Sequence, residues 1–385
     1  MPGERGPQPD GRVAAHRRIS ETLRAEIESG AYPPGGRVPA EMALADRFGV
    51  SRGTLRQALQ DLRAAGLLEV VPGRGYFVAH GSPRHRESRR MVIGVVVPSV
   101  AEPFVPGLLG WIEDELHDRG YSMMVGSTGW TREQEAGRIH RILAEGVSGL
   151  IAYPIDYDPD ATLFGHLVER DLPVVLIDRY IVGLRIDAVQ PDNVGGAFEV
   201  VSHLARLGHR RIAFISTDNL STTSVAERLQ GYEQAMRRFD IDLDRSLVFT
   251  SLPVQRRWPA GLPPDGDSGV AAIAGFLERT RPTAAFALHE SLAQDTIVAA
   301  ERLGLRVPHD LAIVSFDDDI PLASSPVPLT VAAQPLEALG RTAARLVVER
   351  AEGRRHETAR IVLPTSLLIR ESSGLALDGA EAVAG

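Results

Sequence analysis

The chain has 385 residues, 44% of them hydrophobic and 24% charged, with a formal net charge of −8, which fits a globular protein of two or three domains. Cysteine and lysine are both absent, and all 42 basic residues are arginine. That excludes disulfides, thiolate metal sites, cysteine nucleophiles, a P-loop lysine and a lysine Schiff base to pyridoxal phosphate. Absence of cysteine fits a reducing cytoplasm, the expected location. No apolar run approaches the length of a membrane span, and the opening MPGERGPQPDGR has no apolar core of a signal peptide.

In chain order, a disordered lead is expected over 1–12, followed by a helix from Val13 to Gly30 and a break at Tyr32-Pro33-Pro34-Gly35-Gly36. A short helix from Glu41 then reaches Asp46 to Gly49, where Gly49 supplies the tight turn of a helix-turn-helix corner. Ser51 is placed to cap the next helix, whose Leu55, Ala58, Leu59 and Leu62 recur at the spacing of a buried stripe. Arg52, Arg56 and Arg63 fall together beside that stripe. Leu67 to Val71 and Tyr76 to Val78 read as two strands around Pro72-Gly73-Arg74-Gly75. The whole of 13–79 is thus a winged helix-turn-helix. Arginines at the start of a second corner helix, with another at a glycine-flanked tip, suit base edges and phosphates of double-stranded DNA. Charge is divided accordingly: residues 1–90 hold 15 arginines against 10 acids, and the remainder holds 27 against 40. A basic head on an acidic body concentrates phosphate affinity in the head.

A polar linker is expected over 80–90, and from Met91 short apolar strands alternate with amphipathic helices. Strands are predicted at 92–97, 122–125, 149–153 and 174–177, and again at 211–216, 247–250, 284–288 and 311–315. The intervening helices fall near 106–119, 131–145 and 161–170, then 194–207, 225–239, 268–279 and 291–303. This alternation argues for α/β architecture with parallel sheets covered on both faces, in two successive layers with a cleft between. The small-residue stretch 377–385 is expected to be a disordered tail.

The head resembles the GntR family of bacterial regulators, through Gly30-Ala31-Tyr32-Pro33-Pro34-Gly35, Pro39-Ala40-Glu41, Phe48-Gly49-Val50-Ser51-Arg52, Leu55-Arg56-Gln57-Ala58-Leu59, Gly66-Leu67-Leu68-Glu69 and Gly73-Arg74-Gly75. The resemblance implies that Ser51, Arg52, Thr54 and Arg56 face DNA and that Gly73 and Arg74 enter the minor groove. Met42 departs from the pattern, standing where several relatives carry an arginine. The body resembles the effector domain of LacI-type repressors over about 280 residues. The matching stretches include Ile93 to Pro98, Glu102-Pro103-Phe104, Pro173 to Arg179, Asp192-Asn193, His203 to Ile215, Arg228 to Tyr232, Ser315 to Asp318, Pro328-Leu329-Thr330 and Arg370 to Ser373. Such domains are similar to periplasmic sugar-binding proteins, with two lobes joined by three crossings. The crossings are expected near Pro191, Asp317 and Gln334, giving a first lobe of 91–190 with 318–334 and a second of 191–317 with 335–376. A GntR-type head on a LacI-type body resembles the arabinose-responsive repressors of Gram-positive bacteria.

Position in these motifs implies that Asp178, Arg179, Arg228, Asp317 and Gln334 form a polar ring for a small molecule, with Phe104 as its stacking face. A sugar offers hydroxyls at its edge and C–H groups on its faces, which suits such a set. Two positions depart: His289-Glu290 replaces a usual Asn-Asp, and Glu102 replaces a usual Asn. His289 still both donates and accepts, so it joins the ring. Trp258 is a further candidate to cover the cleft. No catalytic set is found: there is no nucleophile elbow or raised-pKa carboxyl pair. No metal set is found either, because Asp156 to Asp160 lacks the Gly and Glu of a calcium loop and His203 and His209 are wrongly spaced for one helix face. The expectation is a homodimeric, sugar-responsive regulator without cofactor or membrane partner. A nucleoside, purine or sugar-phosphate ligand is the alternative, as is a transport-type solute-binding protein of different class.

Overall fold

The computed structural model describes residues 10–28, 31–33, 35–64, 67–71, 75–78, 91–129, 131–155, 162–252, 266–318 and 325–374. The chain divides after Arg90 into two units. Residues 1–9 of the expected lead, the expected linker and tail, and Gly73, Arg74, Trp258 and Asp156 to Asp160 lie outside the described residues, while the last three residues assigned to the lead, 10–12, are corrected to the first turn of a helix.

In the first unit, helix α1 (Asp10–Glu28), helix α2 (Glu41–Phe48) and helix α3 (Arg52–Ala64) close over one core. The stripe read from spacing is buried throughout: Leu55, Ala58, Leu59 and Leu62 are fully enclosed with Ile19 and Leu23 of α1 and Leu44 of α2. Each enclosed leucine or isoleucine contributes about 2 kcal/mol from removal of apolar surface. Arg47 of α2 ties back to Glu26 of α1 through both its terminal nitrogens and to the Tyr32 hydroxyl at 3.3 Å. Gly49 has φ 62° and ends α2 with its N–H on the last turn, a left-handed conformation that favours glycine. Strands β1 (Leu68–Val71) and β2 (Gly75–Val78) pair antiparallel, Leu68 opposite Val78. Residues 35–38, which begin inside the break predicted at Tyr32 to Gly36, pair along the other edge of β2, with Val38 N–H donating to Tyr76 O at 3.0 Å and Val78 N–H to Gly36 O at 2.9 Å.

The second unit is built on two six-stranded sheets. The first contains β3 (Val92–Val97), β4 (Ser122–Ser127), β5 (Gly149–Ala152), β6 (Val174–Ile177), β7 (Asp187–Pro191) and a strand from near the C-terminus, β13 (Arg360–Leu363). Its order is β13-β7-β6-β5-β3-β4, parallel throughout. Alternation across the sheet is clean. Ile93, Val95 and Val97 face a cluster with helices α4 (Phe104–Asp118) and α11 (Leu336–Ala351), while Val96 faces α5 (Arg132–Ala144) and α6 (Thr162–Glu169). Both faces being covered is why these strands are continuous apolar runs.

The second sheet holds β8 (Ile212–Thr217), β9 (Val248–Leu252), β10 (Ala284–Ala287), β11 (Ala312–Phe316), β12 (Thr330–Ala333) and β14 (Ser366–Leu368) in the order β14-β12-β11-β10-β8-β9, with only β14 antiparallel. Helices α7 (Asn193–Arg206), α8 (Thr223–Arg238), α9 (Gly266–Thr280) and α10 (Glu290–Arg302) belong to this lobe.

The chain crosses between lobes at 191–192, 334–335 and 364–365. The expected crossing at Asp317 is therefore corrected: β11 and β12 are neighbours in one sheet. The expected membership of the C-terminal third is corrected with it. Residues 330–333 lie in the second lobe, and α11 and β13 complete the first. Gly340 explains how α11 seats: a Cβ there would stand 2.8 Å from Trp111 Cβ and 3.1 Å from the backbone of Leu108 and Ile112 on α4, so the helices touch backbone to backbone. The Asp192 N–H donates to Leu363 O at 2.7 Å and binds the first crossing to the third.

The turn Glu371–Ser373 closes the second lobe. Ser372 Oγ accepts from Thr330 N and donates to Ile313 O, and Arg370 grips Asp318 with two bonds of 2.7 and 2.8 Å. His203 and His209 are internal hydrogen-bond partners, of Ser373 Oγ and Thr283 Oγ1 at 3.0 Å each.

Candidate functional site

Both sheets aim the carboxyl ends of their strands at the space between the lobes, where loops are free to carry polar groups. Asp178 follows β6 and Asp317 follows β11, and the two share an unusual backbone, with φ 74° and 77°. Asp tolerates this region better than most residues with a Cβ. Each is anchored by its own N–H to the adjacent strand, Asp178 to Val189 O at 2.9 Å and Asp317 to Ala332 O at 3.0 Å. The strand end thereby turns each carboxylate toward the cleft instead of continuing the ladder.

Around Asp178 the first lobe assembles a compact set. The Arg179 guanidinium donates from Nε to Asp178 Oδ2 and from Nη2 to the Tyr153 hydroxyl, both at 2.7 Å, and lies 4.6 Å from the Tyr153 ring centre. Tyr153 in turn packs against Phe104 at 5.5 Å between centroids, tilted by 59°. Burial holds the Tyr153 phenol far above its ordinary pKa, so it remains a donor and acceptor at any working pH. Tyr153 is not among the site residues predicted from sequence, where it is the last residue of the strand at 149–153; the strand ends at Ala152 and leaves Tyr153 at the cleft.

Around Asp317 the second lobe does the same with groups from further away. Arg228 on α8 donates from Nε to Asn193 Oδ1 at 3.0 Å, from Nη1 to Leu288 O at 2.8 Å and from Nη2 to Asp317 Oδ1 at 3.4 Å. Its guanidinium lies 3.8 Å from the Phe316 ring centre, a cation–π stack. Gln334, at the second crossing, donates to the same Asp317 oxygen at 2.6 Å. Burial pushes the Asp317 carboxyl up, while Arg228 and the Gln334 hydrogen bond pull it back.

Five of the predicted cleft residues therefore join into two pairs plus Gln334, and Phe104 stands beside them through Tyr153. His289 takes a different place. Its Nδ1 accepts from the Leu292 N–H at 3.3 Å and caps α10, which places the ring proton on Nε2. Glu102, noted in the sequence only as a departure, lies in the loop after β3. Its carboxyl is pushed up to about 8, first by burial, then by Asp178 and Asp317, against the pull of Arg179. Its Oε2 is enclosed and makes no hydrogen bond among the described residues.

The lobes also touch beside this cleft. Thr223 Oγ1 accepts from Tyr180 N at 3.3 Å and donates to Tyr180 O at 3.0 Å. Glu227, one turn along α8, accepts from Arg360 at 2.9 Å, Gln190 at 3.0 Å and Asn193 at 3.3 Å.

In the head, Ser51 Oγ accepts from Thr54 N at 3.3 Å and sits 2.9 Å from Thr54 Oγ1, capping α3 as its sequence position requires. Arg52 and Arg56 are exposed on the outer side of α3. Arg56 pairs with Glu41 at 3.0 Å, and Arg52 reaches the Met42 sulfur at 3.1 Å.

Comparison with known proteins agrees with this division. Residues 15–78 match the bacterial regulatory proteins of the gntR family, and residues 201–373 match the periplasmic binding protein-like domain. The chain is 28% identical over 364 residues to the arabinose metabolism transcriptional repressor of Geobacillus stearothermophilus, covering 92% of this chain and 96% of that protein. It is 32% identical over 286 residues to the HTH-type transcriptional regulator DegA of Bacillus subtilis, covering 74% and 81%. Among solved structures, the transcriptional regulator CelR–cellobiose complex superposes with a TM-score of 0.65 at 28% identity, over 87% of this chain and 100% of that one. The chain belongs to the bacterial HTH-type transcriptional regulators, as a DNA-binding member with a gntR-family head and a periplasmic binding protein-like effector domain.

Proposed function

We propose that this regulator is a cytoplasmic repressor of carbohydrate-utilisation genes whose operator affinity is set by a small sugar held between its two lobes. The carrying observation is the polar ring of Asp178, Arg179, Arg228, Asp317 and Gln334, drawn from both lobes and bordered by the Phe104–Tyr153 pair. Such a ring offers donors and acceptors with an aromatic surface beside them, the chemistry a sugar requires. The names of similar proteins, an arabinose repressor and a cellobiose-bound regulator, support the same class.

In this reading Ser51, Arg52, Thr54 and Arg56 meet DNA, with Gly73 and Arg74 at the wing tip. Two heads of a homodimer read two half-sites. Sugar binding shifts the balance between lobe arrangements by its differential affinity for them, and the change in lobe angle alters the placement of the heads. Arg56 first has to exchange Glu41 for phosphate, which makes its contribution strongly dependent on salt.

The test couples two measurements on the full-length protein. Duplexes selected from a random library by the purified protein give the operator, and a gel shift on it is repeated with L-arabinose, D-ribose, D-glucose and cellobiose. A palindromic site released by one of these sugars supports the proposal. Failure to select any duplex, or selection of a site indifferent to every sugar that stabilises the protein thermally, contradicts it.

A further inference from the structure

Among the described residues, the cleft brings together three carboxyl groups, Glu102, Asp178 and Asp317, and two guanidinium groups, Arg179 and Arg228. Both guanidinium groups are already engaged: Arg179 by Asp178 and Tyr153, and Arg228 by Asn193, Leu288 O and Asp317. The charge of each is offset by an aspartate beside it, Arg179 by Asp178 and Arg228 by Asp317, so neither presents an uncompensated cation to a phosphate. Two of the carboxyl groups have a cationic partner, and Glu102 has none within hydrogen-bonding distance. Its enclosed Oε2 is an acceptor or hydroxyl position without a protein partner among the described residues. Enclosed polar atoms in native proteins find partners, so this one points to the ligand.

We propose that Glu102 sets the ligand class of the cleft: its enclosed carboxyl is completed by an oxygen of an uncharged, hydroxyl-bearing molecule, and the cleft, its two guanidinium charges already offset, does not hold phosphate esters or other anions of the same size. The inference rests on the sugar-responsive reading above and narrows it, removing the sugar phosphate that the two arginines left open in the sequence. An ordinary amide at this position discriminates by hydrogen bonding alone. A carboxyl adds a titratable proton: while it holds that proton it is neutral, and an arriving anion finds the two guanidinium charges of the cleft already offset by Asp178 and Asp317.

The groups that act on Glu102 are Arg179 and Asp178 from the loop after β6, Asp317 from the end of β11 and the Tyr153 phenol after β5. Their balance, with burial, keeps Glu102 protonated at neutral pH, where it offers an O–H to a ligand oxygen. Above about pH 8 the proton is lost, and the buried charge then opposes a neutral ligand that cannot compensate it.

The experiment is calorimetric titration of the full-length protein with paired probes: D-ribose and D-ribose 5-phosphate, L-arabinose and L-arabinose 5-phosphate, D-glucose and D-glucose 6-phosphate. The expected result is one neutral sugar that binds, with its ester at least about 100-fold weaker. Affinity for the neutral sugar holds from pH 6 to 7 and falls about tenfold between pH 7 and 9. Glu102→Gln, which keeps the shape and removes the titration, binds the neutral sugar within about threefold of the parent at pH 7 and shows no such fall. An ester bound as tightly as its sugar overturns the proposal, as does an identical pH profile in parent and variant. Should the variant not fold, the parent profile decides alone, a flat course through pH 9 overturning the proposal. If no sugar of any pair binds the parent but an ester does, this inference fails while ligand control stands. If neither binds, the sugar reading falls and takes this inference with it.

Discussion

Asp178 and Asp317 occupy corresponding places in the two lobes, each directly after a buried strand and each with a positive φ, yet their surroundings differ in reach. Asp178 is neutralised by its own neighbour, Arg179, so the first lobe presents a self-contained unit. Asp317 draws on Arg228 from α8 and on Gln334 at the second crossing, while Arg228 also holds Asn193, next to the first crossing. The same backbone device is thus local in one lobe and tied to the hinge in the other. Under the function proposed above, a ligand touching Asp178 would report its presence to one loop, and a ligand touching Asp317 would report it to the segments that cross between the lobes.

Arg228→Ala breaks this asymmetry most severely. It leaves Asp317 buried with no cation and Leu288 O without its donor, so a loss of about 3–5 kcal/mol is expected in chemical unfolding, together with loss of any sugar-induced thermal shift. A smaller loss in the second lobe than in the first would undo the comparison. Asn tolerates the left-handed backbone at both aspartates, so Asp317→Asn and Asp178→Asn compare charge with little strain. Each should cost about 1–3 kcal/mol. Asp317→Asn should also weaken the coupling between sugar and operator affinity, whereas Asp178→Asn should weaken sugar binding and leave that coupling intact, as measured by sugar titrations with and without DNA.

The third expectation concerns pH. A carboxyl whose folded pKa is raised from 4.5 to about 8 binds its proton more tightly when folded. Its contribution to stability is full below about pH 4.5 and is lost as pH rises through 8. Without ligand, Glu102→Gln should therefore match or fall slightly below the parent at pH 5 and exceed it at pH 8.5, by about 2–4 °C in Tm. Melting curves at the two pH values decide it. In the head, Ser51→Ala should cost about 1 kcal/mol by leaving the first turn of α3 uncapped, seen as earlier unfolding of that unit alone. Smallest is Arg360→Ala, which removes a partly exposed ion pair with Glu227 worth about 0.2–1 kcal/mol. Its signature is geometric, a larger radius of gyration in solution scattering if the pair helps hold the lobes together.

Much of the fold was legible because its determinants are local. Val92 to Val97 and Val174 to Ile177 are enclosed on both faces and therefore unbroken apolar runs, and the α3 stripe is spaced by the helix itself. β7 was not legible. Its sequence Asp187-Ala188-Val189-Gln190-Pro191 contains two polar residues and a proline, although all five are buried. Asp187 is tolerated only because Arg350 and the Ala359 N–H, far away in sequence, satisfy it. The exchange of the C-terminal segments between lobes was misplaced for the same reason, since which sheet receives α11 is decided by its contact with α4 and not by its own periodicity. At the site, residue types and their places after strands identified the polar ring. The Tyr153 contribution and the unpartnered Glu102 oxygen depend on contacts made across loops, and no spacing rule carries them, whereas the His289 cap is a local bond to Leu292 three residues on.

The placement of α11 and β13 has a consequence for how the protein is made. The first lobe begins at the start of the body, but its core stays open on one face until α11 emerges, after β12 of the second lobe. Assembly order therefore cannot follow synthesis order. The nascent first sheet, with the face of Ile93, Val95 and Val97 covered by α4 but not yet by α11, must wait through translation of most of its neighbour, a delay during which exposed apolar surface favours association with other chains. The head has no such debt to later residues, its core being closed by segments within its own short span. A ribosome-bound chain stalled after residue 333 should accordingly carry a folded head and an unfinished body.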